Sequence, residues 1–531
     1  MTPKPSLNPG RHQPTLITAS TDPNMGVKIY RVGDINGDGF ADVLLVGQDS
    51  SYLYYGSSVG LITNSDPAYT PVGKNPLKFG TYKNDYSIYF GINSTSPTST
   101  KNTTWGNDTS KEPSAYAFDT NSVGYGDFNG DGYGDIAVGI DDMRSTYSSS
   151  LELPINYSST YFSINNRGKV IIIYGSKLGL QVDATGVINV NDPNQIAGLN
   201  PCSGGSITSA NYHCKIQVLS SPDSSLGKSF GFSVQGIPPM NVTNKEWSLL
   251  VSDPNEAVSG TNTDGAVYFY RGGLSGLDIE KTSIKTLRLP SGIDFDKQRF
   301  GYRINLLGDV NADGISDIAI SAPGPYPNSG LNNGAVYIFY GYLESGFPSF
   351  IGLPSALDQP ITESKILALN TRFATNNSTD IKIQRIRPPL FNTDTTSLFG
   401  YGLTSLGDFN GDGFADLAIN VPKGDYEDTV KITQAGFVIV YFGSKRGFLI
   451  DGNDGGFSTN PKCLGSDSTA GVCDSYQIIL PGVQNYENSY INKNSSGDFN
   501  GDGHPDLLIG GTGRDHPSGL AFSTGVVYVF Y

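Results

Sequence analysis

Methionine, histidine and cysteine are scarce in this chain, four of each among 531 residues, and tryptophan occurs only twice. The histidines, His12, His213, His504 and His516, are scattered between the ends and the loops, so they form no imidazole cluster for zinc or copper. No Gly-x-Ser-x-Gly elbow occurs, which removes the usual hydrolase nucleophile. Long apolar runs are missing too. The first twenty residues hold no signal-like apolar core, and no stretch nears the roughly 18 apolar residues of a spanning helix. The sequence as given therefore reads as soluble, with any signal peptide or anchor lying outside it. Positive charge is in short supply, with 35 Lys and Arg against 50 Asp and Glu, a net charge of −15 and a pI near 4.7. A chain this acidic repels phosphate backbones and anionic lipid, so nucleic acid and direct membrane insertion are excluded as expectations.

What is present points to an all-β protein. Glycine is abundant (66), with 31 Tyr and 26 Phe, and the glycines punctuate short aromatic and β-branched runs. One unit recurs along the chain. An apolar strand ends in Gly-Asp, an Asp/Asn/Gly loop follows, then a strand such as DVLLVG or DIAVGI, a polar turn, and an aromatic strand ending near Tyr-Gly. Six copies are recognisable, near residues 28–56, 123–176, 229–272, 299–341, 398–444 and 489–531.

Several antiparallel strands per unit admit a propeller or a solenoid. The unequal spacing favours the propeller, because blades packed around an axis tolerate long connections, whereas a solenoid holds its period. The fold expected is a β-propeller of six recognisable four-stranded blades over 28–531, with insertions at 57–123, 176–228, 342–398 and 444–488 rich in Ser, Thr, Asn and Pro. A seventh, eroded blade within 57–123 stays open. Residues 1–27 form an N-terminal extension whose segment Pro14 to Ser20 (PTLITAS) is expected to supply a ring-closing strand.

Five of the six units carry one nonapeptide, Asp-x-Asn-x-Asp-Gly-x-x-Asp. Its side-chain oxygens at positions one, three, five and nine are Asp34, Asn36, Asp38 and Asp42 in the first unit, and Asp127, Asn129, Asp131 and Asp135 in the second. They are Asp309, Asn311, Asp313 and Asp317 in the fourth, Asp408, Asn410, Asp412 and Asp416 in the fifth, and Asp498, Asn500, Asp502 and Asp506 in the sixth. Position seven, held by Phe40, Tyr133, Ile315, Phe414 and His504, offers its backbone carbonyl. Alternating oxygens around a turn, with glycine at position six, make a hard all-oxygen site that suits Ca²⁺ better than octahedral Mg²⁺. Acidic β-turns also use Asp, Asn and Gly, but a bare turn has no need of Asp at position nine, and all five loops have it. About five Ca²⁺ sites are expected. Filling them would take the net charge from −15 to about −5. An EF-hand is excluded because position twelve, its glutamate, is Leu45 in the first loop, and each loop leads into a strand. In the third unit IPPMNVTNKEW replaces the nonapeptide, so that blade is expected to hold no metal.

The cysteines form two close pairs, Cys202 with Cys214 and Cys463 with Cys473, in polar stretches. Three connectivities are possible, and four free thiols are the alternative. Local pairing would close two short loops and fit an oxidising compartment.

Phe230-Gly231, Phe300-Gly301 and Phe399-Gly400, the Asp-rich loops, and Ser321-Ala322-Pro323-Gly324 resemble the FG-GAP repeats of integrin α-subunit heads, and YGSKLGL (Tyr174 to Leu180) is similar to bacterial surface members. Val138-Gly139-Ile140-Asp141 departs from the pattern. The resemblance implies a propeller, usually seven-bladed in integrins, with calcium on the lower loops and ligand contact on the opposite or side loops. The function expected is extracellular or cell-surface adhesion, the loops meeting a protein or glycan ligand, without catalysis. The alternatives are self-association as a subunit of a surface fibre or layer, and glycan chemistry by a carboxylate pair, which needs only proximity in space.

Overall fold

The computed structural model describes residues 28–46, 51–57, 61, 77–79, 123–140, 169–176, 216–222, 229–239, 245–256, 265–281, 283–289, 298–324, 334–344, 347–349, 383–386, 398–422, 424–427, 431–432, 435–445, 447–448, 477–481, 487–493, 495–511 and 525–531. Every regular element among them is a strand, and the strands form six antiparallel blades in a ring. Blade one orders β1 (Lys28–Arg31), β2 (Val43–Val46), β3 (Ser51–Tyr54) and β4 (Leu77–Phe79) from axis to rim. Blade two has β5 (Val123–Gly126), β6 (Asp135–Ile140), β7 (Lys169–Ile173) and β8 (Ile216–Ser220). Blade three has β9 (Val234–Ile237), β10 (Ser248–Asp253), β11 (Ala266–Tyr270) and β12 (Lys285–Leu287). In blade four β13 (Ile304–Gly308), β14 (Asp317–Ala322) and β15 (Ala335–Phe339) precede a side hairpin of β16 (Tyr342–Glu344) and β17 (Phe347–Ser349), and β18 (Ile383–Ile386) completes the sheet. Blade five has β19 (Leu403–Gly407) and β20 (Asp416–Val421), a small hairpin of β21 (Tyr426–Glu427) and β22 (Lys431–Ile432), then β23 (Phe437–Tyr441) and β24 (Gln477–Pro481).

Blade six differs. Its innermost strand is split into β25 (Ser489–Tyr490) and β26 (Ser496–Gly497), both paired with β27 (Asp506–Gly511), and β28 (Val526–Phe530) lies outside β27. Tyr490 faces Gly510 and Ser496 faces Leu507, so the inner strand bulges between them opposite only Leu508 and Ile509. This bulge carries Lys493 across the ring. Its ammonium donates to the carbonyl of Val123 in blade two and, at 3.3 Å, to that of Val234 in blade three.

Six blades therefore account for the described ring. Blades one and two adjoin directly, with Gly134 N donating to Asp34 O at 2.7 Å, so no blade intervenes between them. The four long insertions are not loops throughout, since the outer strands β4, β8, β18 and β24 lie inside them.

The strands of the middle blades are apolar along their length because those blades are covered on both faces. All six residues of β14 and of β20 are buried, and all five of β15 and of β23. The core is a set of layers between blades. Leu250 and Val267 of blade three meet Phe300 and Tyr337 of blade four, and Val310 and Val336 of blade four meet Phe399 and Ile439 of blade five. The phenylalanine of each Phe-Gly pair is a keystone of these layers. Phe300 is fully buried and edges against Tyr337 at 5.7 Å between centroids. Gly301 follows it at φ 91°, and a Cβ there would stand 2.8 Å from the Cβ of Ser252 in blade three, so backbone sign and close approach both require glycine.

At the end of the inner strands away from the Asp-rich loops, Phe232, Tyr302, Tyr401 and Tyr490 run around the axis, with centroids 4.9, 5.1 and 6.2 Å apart. Arg303, itself buried, lies over three of these rings, 4.5 Å from that of Tyr302.

Candidate metal centres

Each nonapeptide links an inner strand to the second strand of its blade. The chain reverses through left-handed backbone at positions four and six. Gly37 has φ 70° and the five glycines at position six lie between 87° and 92°, while Ala312 takes position four of the fourth unit at 56°.

The first loop shows how the side chains hold this turn. Asp34 accepts from the N–H of Asp38 at 3.0 Å on one oxygen and from that of Gly39 at 2.7 Å on the other. Asn36 accepts from Asp38 N at 3.3 Å and donates its amide to the Asp38 carboxylate at 2.9 Å. Asp38 accepts from Phe40 N at 2.9 Å. The same bonds recur around Asp127, Asp309, Asp408 and Asp498. In the first loop each carboxylate oxygen of positions one and five takes one N–H and keeps a second lone pair, whereas in the sixth one oxygen of Asp498 takes two, from Gly501 at 2.6 Å and Asp502 at 3.1 Å.

Position nine does something else. Asp42 is fully buried and accepts from Ile35 N at 2.7 Å and from Gly56 N at 2.8 Å, pinning the loop to the end of the third strand. Asp135 does so with Phe128 and Gly175, Asp317 with Val310 and Gly341, and Asp416 with Phe409 and Gly443. This explains why the aromatic strands end in glycine. A Cβ on Gly175 would stand 2.1 Å from Gly134 O, and one on Gly56 2.3 Å from Ala41 O. Asp506 keeps the first bond, from Phe499 N at 2.6 Å, while its other oxygen is buried with no partner among the described residues. A buried pin therefore also calls for aspartate at position nine, beside the metal role expected of it. Burial outweighs the two N–H donors and pushes Asp42 and Asp416 up to about 7 and Asp317 up to about 8, with Asp135 also held well above the carboxylate range. Burial raises Asp127 and Asp313 as well, whereas the N–H of His504 lowers the solvent-facing Asp502.

The loops also hold one another. Gly134 N, at position eight, donates to Asp34 O of the preceding loop at 2.7 Å, and Ala415 N donates to Asp309 O at 3.0 Å. Position seven leans on position four of the preceding loop, Tyr133 against Gly37 and His504 against Gly411. Blade three keeps this scheme without the nonapeptide. Trp247 N donates to Asp127 O at 2.7 Å, and Glu246 packs on Gly130.

As donors, positions one, three, five and the carbonyl of position seven fit a hard cation: all are oxygens on largely solvent-facing turns. Among the described residues no three His, Cys, Asp or Glu side chains lie close enough to form a metal cluster by themselves. All four cysteines, and the N-terminal segment 14–20, lie outside the described residues.

Comparison with known proteins agrees with the blades. The FG-GAP repeat matches residues 300–339, 399–441 and 493–530, that is, blades four, five and six. The chain carries FG-GAP repeats. This propeller is 27% identical to Integrin alpha-PS3 of Drosophila melanogaster over 202 residues, covering 38% of this chain and 14% of that protein. It is 28% identical to human Phosphatidylinositol-glycan-specific phospholipase D over 240 residues, 45% of this chain and 21% of that one, and 26% identical to human Integrin alpha-6 over 230 residues, 43% and 15%. The FG-GAP propeller thus spans about a fifth or less of the length of these relatives.

Three features escaped the sequence reading: the pin at position nine, the ladder between loops, and Lys493. The first had a visible signal in the glycines Gly56, Gly175, Gly341 and Gly443 after four of the aromatic strands.

Proposed function

We propose that this FG-GAP propeller is a calcium-binding, extracellular recognition module that displays its long insertions to a protein or glycan ligand. The observation that carries the reading is the repetition of one oxygen-rich turn in five blades, laddered through backbone bonds from blade one to two, two to three and four to five. The residues that would hold Ca²⁺ are positions one, three and five with the position-seven carbonyl: Asp34, Asn36, Asp38 and Phe40 in the first blade, and their counterparts in blades two, four, five and six. Bound calcium would supply positive charge among carboxylates that otherwise repel one another on each turn. Long loops on a stiff scaffold suit contact surfaces, and the integrin relatives favour a protein ligand at a cell surface. Closed Cys202–Cys214 and Cys463–Cys473 loops belong to the same reading.

The test is equilibrium dialysis with ⁴⁵Ca together with binding to glycan and host-protein panels in calcium and in chelator. About five bound ions and calcium-dependent capture of one ligand class are expected. Fewer than one ion per chain at ~2 mM calcium, a level well above the Kd of an extracellular module, would sink the metal assignment. Turnover of a captured glycan, abolished by a single Asp or Glu substitution, would turn the reading toward catalysis.

A further inference from the structure

Blade three lacks the nonapeptide, yet its backbone bonds show which position each residue of the replacement holds. Trp247 N donates to Asp127 O at 2.7 Å as Gly134 N does to Asp34 O, so Trp247 stands at position eight. Gly272 N approaches Ser248 Oγ at 3.5 Å where Gly175 N donates to Asp135, so Ser248 stands at position nine. Glu246 is therefore position seven. The side chain of that position leans on position four of the preceding loop, as Tyr133 does on Gly37 and His504 on Gly411. Glu246 treats the blade-two loop in the same way: a Cβ on Gly130 would stand 3.0 Å from its Cγ and 3.4 Å from its Oε1. Its other oxygen accepts from Lys245 N at 3.2 Å, which holds the carboxylate in place. In the five nonapeptides position seven is Phe40, Tyr133, Ile315, Phe414 and His504; in blade three it is an acid.

The turn it leans on is also the most enclosed of the five. Asn129 is buried and Asp131 half-buried, whereas Asp38, Asp313, Asp412 and Asp502, which share the place of Asp131, are exposed. A charge beside an enclosed site is screened less than one beside an open turn. We propose that Glu246, supplied by the blade without a metal turn, acts as an outer acid of the blade-two site and makes it the tightest of the five cation sites. The proposal rests on the calcium reading above. Glu246 takes none of the ligand places, which belong to Asp127, Asn129, Asp131 and the Tyr133 carbonyl. It adds one negative charge from the flank, where the other loops receive a ring or an imidazole, and that charge favours a divalent ion over the empty turn. As calcium rises, this site fills first.

Trp247 makes the site addressable. Terbium, a hard cation that takes oxygen ligands, emits when an indole close to it is excited, and in a full-length Trp105→Phe chain Trp247 is the one indole left. In that chain tryptophan-excited emission should saturate before total bound terbium, followed by dialysis, reaches its plateau, and added calcium should compete it away. Glu246→Gln should raise the midpoint of the emission about three- to tenfold at ~10 mM salt, and by less than twofold at ~0.5 M, where a flanking charge is screened. Glu246→Asp, which keeps the charge, should stay within about twofold of the parent. A Glu246→Gln midpoint that does not move overturns the proposal and leaves the calcium reading standing. So does an equal loss in Glu246→Gln and Glu246→Asp, which would make the side chain a packing element, or a shift that persists in high salt. Absence of terbium and calcium binding in the parent would instead sink the metal reading itself.

Discussion

Between blades four and five, Leu307, Val310 and Val336 meet Phe399, Leu417 and Ile439 in a layer that leaves nothing exposed; between blades six and one, Phe499, Val527 and Val529 stand in solvent. Both seams are built from the same repeat with the same loop, although the inner strand of blade six is split. The repeat specifies how a blade is made and which face it offers, but burial of that face depends on what the next stretch of chain delivers. In blades two to five the neighbour follows in sequence. At the sixth seam it must come from the far end of the chain, and closure becomes a separate event.

The largest test of that contrast is Phe399→Ala, which removes a fully buried ring from the closed seam and should cost about 3–5 kcal/mol by urea unfolding. Val529→Ala, at an exposed position of the other seam, should change stability by no more than about 0.5 kcal/mol. A cost as large as that of Phe399→Ala would show that the sixth seam is packed like the others.

Next in size are the two kinds of aspartate. Asp416→Ala strips the acceptor from two buried N–H groups and should cost about 1–3 kcal/mol for each one left unpaired, in calcium and in chelator alike. Asp412→Ala should matter only in calcium. One site with a Kd of ~0.1 mM at ~2 mM calcium stabilises by about 1.8 kcal/mol. A loss at Asp416 confined to calcium would make position nine a ligand rather than a pin.

The gentlest effect is a slope. In chelator the folded chain keeps protons on Asp42, Asp416 and Asp317 up to about 7, 7 and 8, whereas unfolded aspartate releases them near 3.9. The folded state therefore binds more protons across that window, and the apo protein should grow more stable as pH falls from about 8 toward 4. Unfolding midpoints that are flat across this range would mean the pins stay ionised.

Much of this was legible in the residues. The nonapeptides and Phe-Gly pairs are local, so their spacing alone locates the turns and the six blades. The outer strands were not, because β4, β8 and β24 pair along one edge only and sit in stretches that otherwise read as polar insertion. The second partner of Asp42 lies fourteen residues away at Gly56, a separation that no local pattern reports. Lys493 gave no sign of its place, since Ile-Asn-Lys-Asn-Ser becomes a bulge only when the inner strand is counted against β27.

That lysine also sets an order of events. A bond joining position 493 to carbonyls at 123 and 234 can form only after most of the polypeptide has been made and the second and third blades have docked. Blade six therefore arrives at a ring whose far wall is already standing, and the tether from its inner strand is among the last contacts the nascent protein can acquire.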